Sequence, residues 1–393
     1  MMATMNDNRQ NGRSLPDGWE LKTVGDVVTF EYGKGLTQNK RDSSGKVPVY
    51  GSNGIVGYHS SALIDKPCLI VGRKGAAGAV HKSEIPCWAI DTTYYVIPPE
   101  NANLSFLYYL FSSLDFPSLD RSTAIPGLNR NDAYAVEIPF PPLPEQEKIV
   151  SRIEELFSDL DAGAVALERV RVGLKRYKAS VLKAAVEGKL LEKRSELSEE
   201  WRFVKLGSVF QVKIGKTPSR SKPEFWNGDI HWVSSGEVIN SRIKETREKI
   251  TEQGLGNTKL YPIGTVLLAM IGEGKTRGQA AILDIEATTN QNIGAILSNS
   301  AEAIPEWVFY WLLSRYEETR KSGVGGMQYA LNSERIRNFD IPLPPLDEQQ
   351  RIVAEVERRL SVVGEVESAV EVGLVRAGRL RQSVLRSAFE GRL

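Results

Sequence analysis

At 393 residues, with 41% hydrophobic and 25% charged content, the chain exceeds one comfortable core and has the make-up of a soluble globular protein of two or three domains. Fifty Lys and Arg against 49 Asp and Glu leave a formal charge of +1, which excludes capture of a polyanion by bulk charge; a nucleic-acid surface would have to be concentrated in particular loops. Apolar runs such as 265–271 are far shorter than the ~20 residues that span a bilayer. The polar start is no secretory signal, and Cys68 and Cys87 make no disulfide framework, so a cytoplasmic protein is expected, with no membrane partner.

Residues 1–18 read as a disordered lead-in. The first head, 19–143, opens at Trp19 with W-E-L-K-T-V-G-D-V and holds short apolar runs that read as strands, V-P-V-Y from Val47 and C-L-I-V from Cys68. A Gly-rich loop follows, G-R-K-G-A-A-G from Gly72, then Thr92-Thr93 and an aromatic helix, F-L-Y-Y-L-F from Phe106. Leu128-Asn129 precede a hinge in which Pro141 and Pro142 end the head. Pro144, with Glu145 and Glu147, suits the first turn of a new helix. From there Ile149, Ile153, Leu156, Leu160, Gly163, Leu167, Val170, Leu174, Tyr177, Val181 and Ala184 alternate in steps of four and three, a heptad seam. Residues 144–200 are read as a long spacer helix with its linker.

The second half repeats the first. Trp201 opens W-R-F-V-K-L-G-S-V; T-V-L-L-A-M-I and Q-A-A-I-L read as strands on either side of G-E-G-K-T-R-G from Gly272; Thr288-Thr289, V-F-Y-W-L-L from Val308 and Leu331-Asn332 follow in the same order. The hinge I-P-F-P-P-L-P-E-Q-E-K-I-V from Ile138 returns 203 residues later as I-P-L-P-P-L-D-E-Q-Q-R-I-V from Ile341, and about two positions in five stay identical through to E-G-K-L at 187–190 and E-G-R-L at 390–393. This makes 201–346 a second head and 347–393 a second long helix. Its seam runs Ile352, Val356, Val363, Val366, Val370, Ala377, Leu380 and Val384, interrupted by Arg359, Gly373 and Ser387. Two striped helices of this length are each other's natural partners. The expected fold is α+β: two mixed α/β heads separated by two long helices in an antiparallel coiled coil, a pseudo-twofold repeat in which Gly163 and Gly373 permit close approach.

Chemistry is sparse. G-E-G-K-T at Gly272–Thr276 suggests a phosphate loop, but the first glycine of that motif would fall at Ala269. His59, His81 and His231 show no ligand spacing, and the cysteines form no C-x-x-C. Trp19, Trp201, Tyr108, Tyr109, Tyr310 and Trp311 read as core. No catalytic, cofactor or metal residue is assigned, and the chain is read as a non-catalytic binding subunit. Candidate DNA contacts in the first head are Lys34, Lys40, Arg41, Lys46, Asn53, Tyr58, Arg73, Lys74, Arg121 and Arg130. In the second they are Lys216, Arg220, Lys222, Lys275, Arg277, Gln279, Gln291, Gln328 and Tyr329. Arg and Lys grip phosphates or guanine edges, and Asn and Gln can read adenine. Two other readings stay open: an NTP-binding enzyme using Gly272–Thr276, and a coiled-coil protein-interaction scaffold.

The paired hinges, the E-G-K-L and E-G-R-L helix ends, and G-K-T-P-S-R from Gly215 with P-E-F-W-N-G-D-I-H-W-V-S-S-G-E from Pro223 resemble the specificity (S) subunits of type I restriction–modification systems. The resemblance spans Trp19 to Leu393. It implies that each head is a target-recognition domain reading one half of a split, asymmetric site in double-stranded DNA. The helices would set the unread spacer and dock methyltransferase (M) subunits, two of them, with restriction (R) subunits joining the complex. Adenosylmethionine, ATP and Mg are implied on those partners, with no cofactor on this chain. The first head has no F-W-N-G-D-I counterpart, so base contacts do not transfer from one head to the other.

Overall fold

The two proline-rich hinges start the two longest helices. Leu143–Val186 and Leu346–Phe389 are each helical over 44 residues, about 66 Å at 1.5 Å per residue. Acidic residues sit in both first turns, where they favour the helix dipole. A computed structural model describes residues 9–10, 13–42, 44–120, 126–191, 201–256, 258–272, 274–298, 301–321 and 331–393. By contact, 1–168 with 371–393 form one unit and 169–370 the other, so each unit takes a head and part of both helices.

In the first unit a four-stranded antiparallel sheet has the order Glu31–Tyr32, Thr93–Val96, Cys68–Gly72, Val80–Ser83. A hairpin, Val47–Gly51 with Gly54–His59, is extended in parallel by Trp88–Ala89. Glu20–Thr23 pairs with Glu137–Phe140, which leads into the hinge. In the second unit the same plan returns with additions. Phe210–Ile214, Ile293–Ser298, Val266–Ala269 and Ala280–Leu283 form the equivalent sheet, with Ser241–Ile243 added in parallel at its edge. Glu248–Ile250, Trp226–Val233 and Ala287–Thr289 form the second sheet, and Arg202–Lys205 pairs with Asp340–Leu343. Each head has one aromatic helix, Leu104–Ser113 or Pro305–Ser314. Within the expected lead-in, Arg9–Gln10 pair with Arg13–Ser14; residues 1–8, 11 and 12 lie outside the described residues.

The antiparallel pairing is visible inside each unit. In the first, Asp161 bonds Arg381 at 3.0 Å, the Arg381 guanidinium lies 4.4 Å from the Phe157 ring, and Gly373 abuts Leu167, so partner numbers fall as numbers rise. In the second, Val181 and Ala185 share a core with Ile352, Val353 and Val356, and Lys178 bonds Glu367 at 2.6 Å. Arg359, an interruption in the seam, is accommodated because its Nε donates to Glu355 at 2.6 Å. Hydrogen bonds from Arg358 and then Arg359 hold that carboxyl down at about 2.

The seam is buried unevenly. Ile149, Ile153, Val181, Ile352, Val356, Val363 and Val370 are buried, and Leu156, Leu160, Leu167, Leu174 and Val384 partly so. Val170 and Leu380, expected in the pairing, are 44% and 42% exposed. A two-helix coil covers each side chain from one side only; near the heads, a third layer closes the stripe. Phe389 shows this, packing edge-on against Phe106 of the aromatic helix at 5.5 Å. The two glycines also differ. A Cβ on Gly373 would come 2.9 Å from Leu167, whereas at Gly163 nothing lies within 4 Å, so only Gly373 serves close approach.

A buried glutamine in each hinge joins head to helix. Gln146 Nε2 donates to the carbonyls of Asn101 and Pro141 at 3.0 and 2.9 Å, and its Oε1 accepts from Asn103 N–H at 2.8 Å. Gln349 repeats this with Glu302, Pro344 and Ile304 at 2.8, 2.8 and 3.1 Å. Both side chains are fully buried with both ends of the amide satisfied, as a buried polar group requires.

Candidate nucleic-acid interface

One glycine–lysine pair occupies the same place in both heads. A Cβ on Gly33 would lie 2.1 Å from the Ile90 carbonyl, and one on Gly215 2.1 Å from Thr289 Oγ1, so the chain passes only as glycine. The next residue is then tied by its backbone: Lys34 N–H donates to Ala89 O at 2.9 Å and Lys216 N–H to Thr289 O at 2.8 Å. Both lysine side chains are left exposed.

The Gly-rich loops are strand-to-strand turns. In the first head Gly72 N–H donates to Ala79 O and Gly78 N–H to Gly72 O, with Gly78 at φ 79°. In the second the same two bonds join Ala269 to Gln279 and Gly278 to Ala269. The equivalent of Gly72 is therefore Ala269 rather than Gly272, and the second loop is three residues longer. Likewise Thr92 corresponds to Asn292, since their carbonyls accept from Arg73 and Met270; the Thr288-Thr289 echo is a coincidence of letters. A phosphate-cradling loop leads from a strand into a helix N-terminus. Here Val266–Ala269 returns antiparallel as Ala280–Leu283, which removes the basis for the NTP-binding reading.

Around the first loop, three of the expected cations converge. Arg73, Lys74 and Arg130 line a cleft of ≈ 370 Å³ with Tyr32, Tyr94 and the 127–131 segment. The guanidiniums of Arg73 and Arg130 lie 5.6 and 5.3 Å from the Tyr32 ring centroid. Burial, then the neighbouring Tyr32, pushes the Tyr94 phenol up to about 12. Beside the loop stands the hairpin tip: Ser52 O accepts from His81 Nε2 at 3.2 Å, and Asn53 is exposed next to it. Lys40, Lys46 and Tyr58 are exposed on the surrounding loop and hairpin. Arg41 is not available; it donates to Leu36 O and Val56 O at 3.2 and 2.8 Å, tying that loop to the hairpin.

In the second head the cations are more often engaged. Arg220 stacks 3.7 Å from the Trp226 ring and bonds both oxygens of Glu248, at 2.5 and 2.9 Å, so it is a structural tie rather than a free contact. Arg277 donates to Arg320 O at 2.9 Å. Gln279 is half-buried, with a buried Oε1 that has no partner among the described residues, and Gln291 accepts from Thr217 at 2.5 Å. Lys222 lies 5.1 Å from the Phe225 ring, and Lys275 is exposed on the long loop. Arg121, Gln328 and Tyr329 lie outside the described residues.

Sequence reasoning missed Tyr32. An aromatic before a glycine reads as core, yet Tyr32 is 54% exposed. It also missed the glutamine in each E-Q hinge, whose one signal was its exact return in the repeat. Among the described residues no three His, Cys, Asp or Glu side chains are grouped to hold a metal, and no helix is long and apolar enough to cross a membrane. Cys68 and Cys87 are free and buried, their sulfurs 3.5 Å apart.

Comparison with known proteins fits this two-headed plan. A family model for the type I restriction modification DNA specificity domain matches twice, over residues 16–168 and 198–359. The type I restriction enzyme EcoDI specificity subunit of Escherichia coli is 24% identical over 426 residues, covering 96% of this chain and 89% of that protein. The MjaVIII specificity subunit of Methanocaldococcus jannaschii is 26% identical over 396 residues, 90% and 88% of the two chains. Among solved structures, a chain from work on complex assembly and conformational transition of the type I R-M system aligns with a TM-score of 0.74 at 21% identity, over 97% of this chain and 100% of that one. The HsdS subunit from Thermoanaerobacter tengcongensis gives 0.59 at 22% identity, over 98% and 99%.

Proposed function

This chain belongs to the type I restriction modification DNA specificity family, and from that premise we propose that it is the DNA-reading subunit of a methyltransferase and endonuclease complex, without a catalytic centre of its own. Each head reads one half of a split, asymmetric site in double-stranded DNA. The duplicated match of the family model, one copy per head, carries this reading. The similarly named relatives and the exposed loop cations, Lys34, Lys74, Lys216 and Lys275 among them, support it.

The helices set the length of the unread spacer and dock two methyltransferase subunits; restriction subunits complete the assembly. Support for docking comes from valines left open on the helices: Val165, Val372 and Val375 in one unit are 50%, 65% and 54% exposed, and Val172 and Val362 in the other are 50% and 51% exposed. Val372 and Val375 lie three residues apart on one face of their helix, and an apolar patch built there favours a protein partner over water. Adenosylmethionine, ATP and Mg belong to the partner subunits, and the complex works in the cytoplasm.

The test is single-molecule sequencing of native genomic DNA, scored for methyladenine, with and without this gene. Loss of one split motif on deletion names both half-sites. An unchanged methylation pattern in a strain that expresses the intact complex overturns the reading. A few residues inserted near Gly163 or Gly373 should change the spacer and leave both half-sites alone.

A further inference from the structure

At positions matched by their backbone hydrogen bonds, the two heads carry different side chains. Tyr32 pairs with Tyr94 across the sheet as Ile214 pairs with Gly294, and each is followed by the glycine–lysine pair. The carbonyls of Arg73 and Met270 each accept the N–H of the leucine before the capping asparagine, Leu128 or Leu331. Counting from these anchors, Tyr32, Arg73, Lys74 and Arg130 of the first head become Ile214, Met270, Ile271 and Ser333 of the second. Where the first head has three cations and a tyrosine, the second has two isoleucines, a serine and Met270, which is only 4% exposed.

The first-head cluster is also unneutralised. Among the described residues no carboxylate forms an ion pair with Arg73, Lys74 or Arg130. In the second head Arg202, Arg220, Arg242 and Arg315 are all paired with acids. Arg73 spends two of its N–H groups on the Asp91 carbonyl, which fixes it and leaves the rest of the fork free. The Asn129 side-chain oxygen accepts from Asn131 N–H and Asp132 N–H, so its NH₂ is what remains to offer, and the Tyr94 hydroxyl donates to Leu128 O. The charged groups left over, the rest of the Arg73 fork, Lys74 and Arg130, are donors only. Holding cations around one ring without an acid is electrostatically costly unless an anion enters, and charge-assisted bonds to an oxyanion are the strong kind.

We propose that Arg73, Lys74 and Arg130, arranged on Tyr32, form a phosphate clamp that grips the DNA backbone beside the first half-site, reads no base, and has no counterpart in the second head. This rests on the DNA-reading function proposed above. A clamp of this kind positions the duplex and contributes sequence-independent, salt-sensitive affinity.

The experiment uses the full chain in complex with its methyltransferase partner, on a duplex carrying the motif found by sequencing and on a scrambled duplex of equal length. Log Kd is followed against log salt. The triple variant Arg73→Gln/Lys74→Gln/Arg130→Gln should shallow the slope by about 0.9 for each phosphate no longer neutralised, ~2.7 in all, and weaken both duplexes by the same factor. Ile271→Gln/Ser333→Gln in the second head should leave the slope as it was. Lys74→Gln alone, on an exposed side chain, should remove about 0.9 and serves if the triple variant does not fold. An unchanged slope overturns the clamp, and so does a weakening confined to the motif duplex, which would make these residues base readers. If the unaltered complex does not distinguish the motif from the scrambled duplex, the DNA-reading assignment itself has failed, a separate result.

Discussion

Arg73 and Met270 stand at the same point of two matching hydrogen-bond schemes, one cationic beside an exposed tyrosine and the other buried in the second head's core. The scheme itself is duplicated through residues that the backbone requires: Gly33 and Gly215 at close approaches, Gly78 and Gly278 at positive φ, Asn129 and Asn332 as helix caps, Gln146 and Gln349 in the hinges. Side chains that point away from this scheme differ freely. Two heads can therefore share a frame and read unlike DNA, with the frame carrying the stability and the loops carrying the choice.

The largest difference in stability between the units should come from the helix ends. Phe389 is 6% exposed and packs edge-on against Phe106, while its counterpart Val186 is only partly buried. Phe389→Ala should cost about 3–5 kcal/mol and Val186→Ala about 1 kcal/mol, read from urea midpoints of the purified chain. Equal losses would mean that the first unit does not depend on the C-terminal turn. The hinge glutamines should instead behave alike. Gln146→Leu and Gln349→Leu each remove three hydrogen bonds, one of them to a buried proline carbonyl, on the order of 3 kcal/mol apiece. A marked inequality, measured the same way, would show that one head docks on its helix by other means.

Much of this frame was legible in the sequence. The 203-residue repeat, the hinge prolines and the heptad spacing placed the starts of the two helices to within one residue, because helix starts and periodic stripes are local signals. The strands around Cys68 and Val266 were legible too. What escaped was tertiary. Nothing local says that Arg220 will be consumed by Glu248 and Trp226, or Arg41 by two carbonyls. Gly72 and Gly272 matched as letters, but a loop longer by three residues moved the register, and only the ladder bonds reveal it. Val170 and Leu380 fit the seam by spacing; their exposure depends on how many layers cover them.

Smaller effects separate the two helices. Gly163 lies on an open face of the first helix, so Gly163→Ala should stabilise the chain by about 1 kcal/mol through helix propensity alone. Gly373→Ala in the second helix gains the same propensity but must push Leu167 aside from 2.9 Å, and should come out near neutral. Thermal melts of the two variants decide it; a clear gain at Gly373 would show that the pair has room to spread there.

The smallest effect is a pH dependence at one position of the first head that the second head does not share. Tyr94 titrates at about 12 because burial, with Tyr32 beside it, disfavours the phenolate; its equivalent, Gly294, cannot titrate at all. A folded-state value raised above the ordinary ~10 contributes stability that is complete below pH 10 and is lost as pH climbs through 12. Tyr94→Phe forfeits the 3.2 Å bond to Leu128 O, about 1 kcal/mol at neutral pH. In exchange its urea midpoint should fall less steeply than that of the unaltered chain between pH 9 and 11.5. Parallel curves over that range would place the alkaline sensitivity in other tyrosines and remove this distinction between the heads.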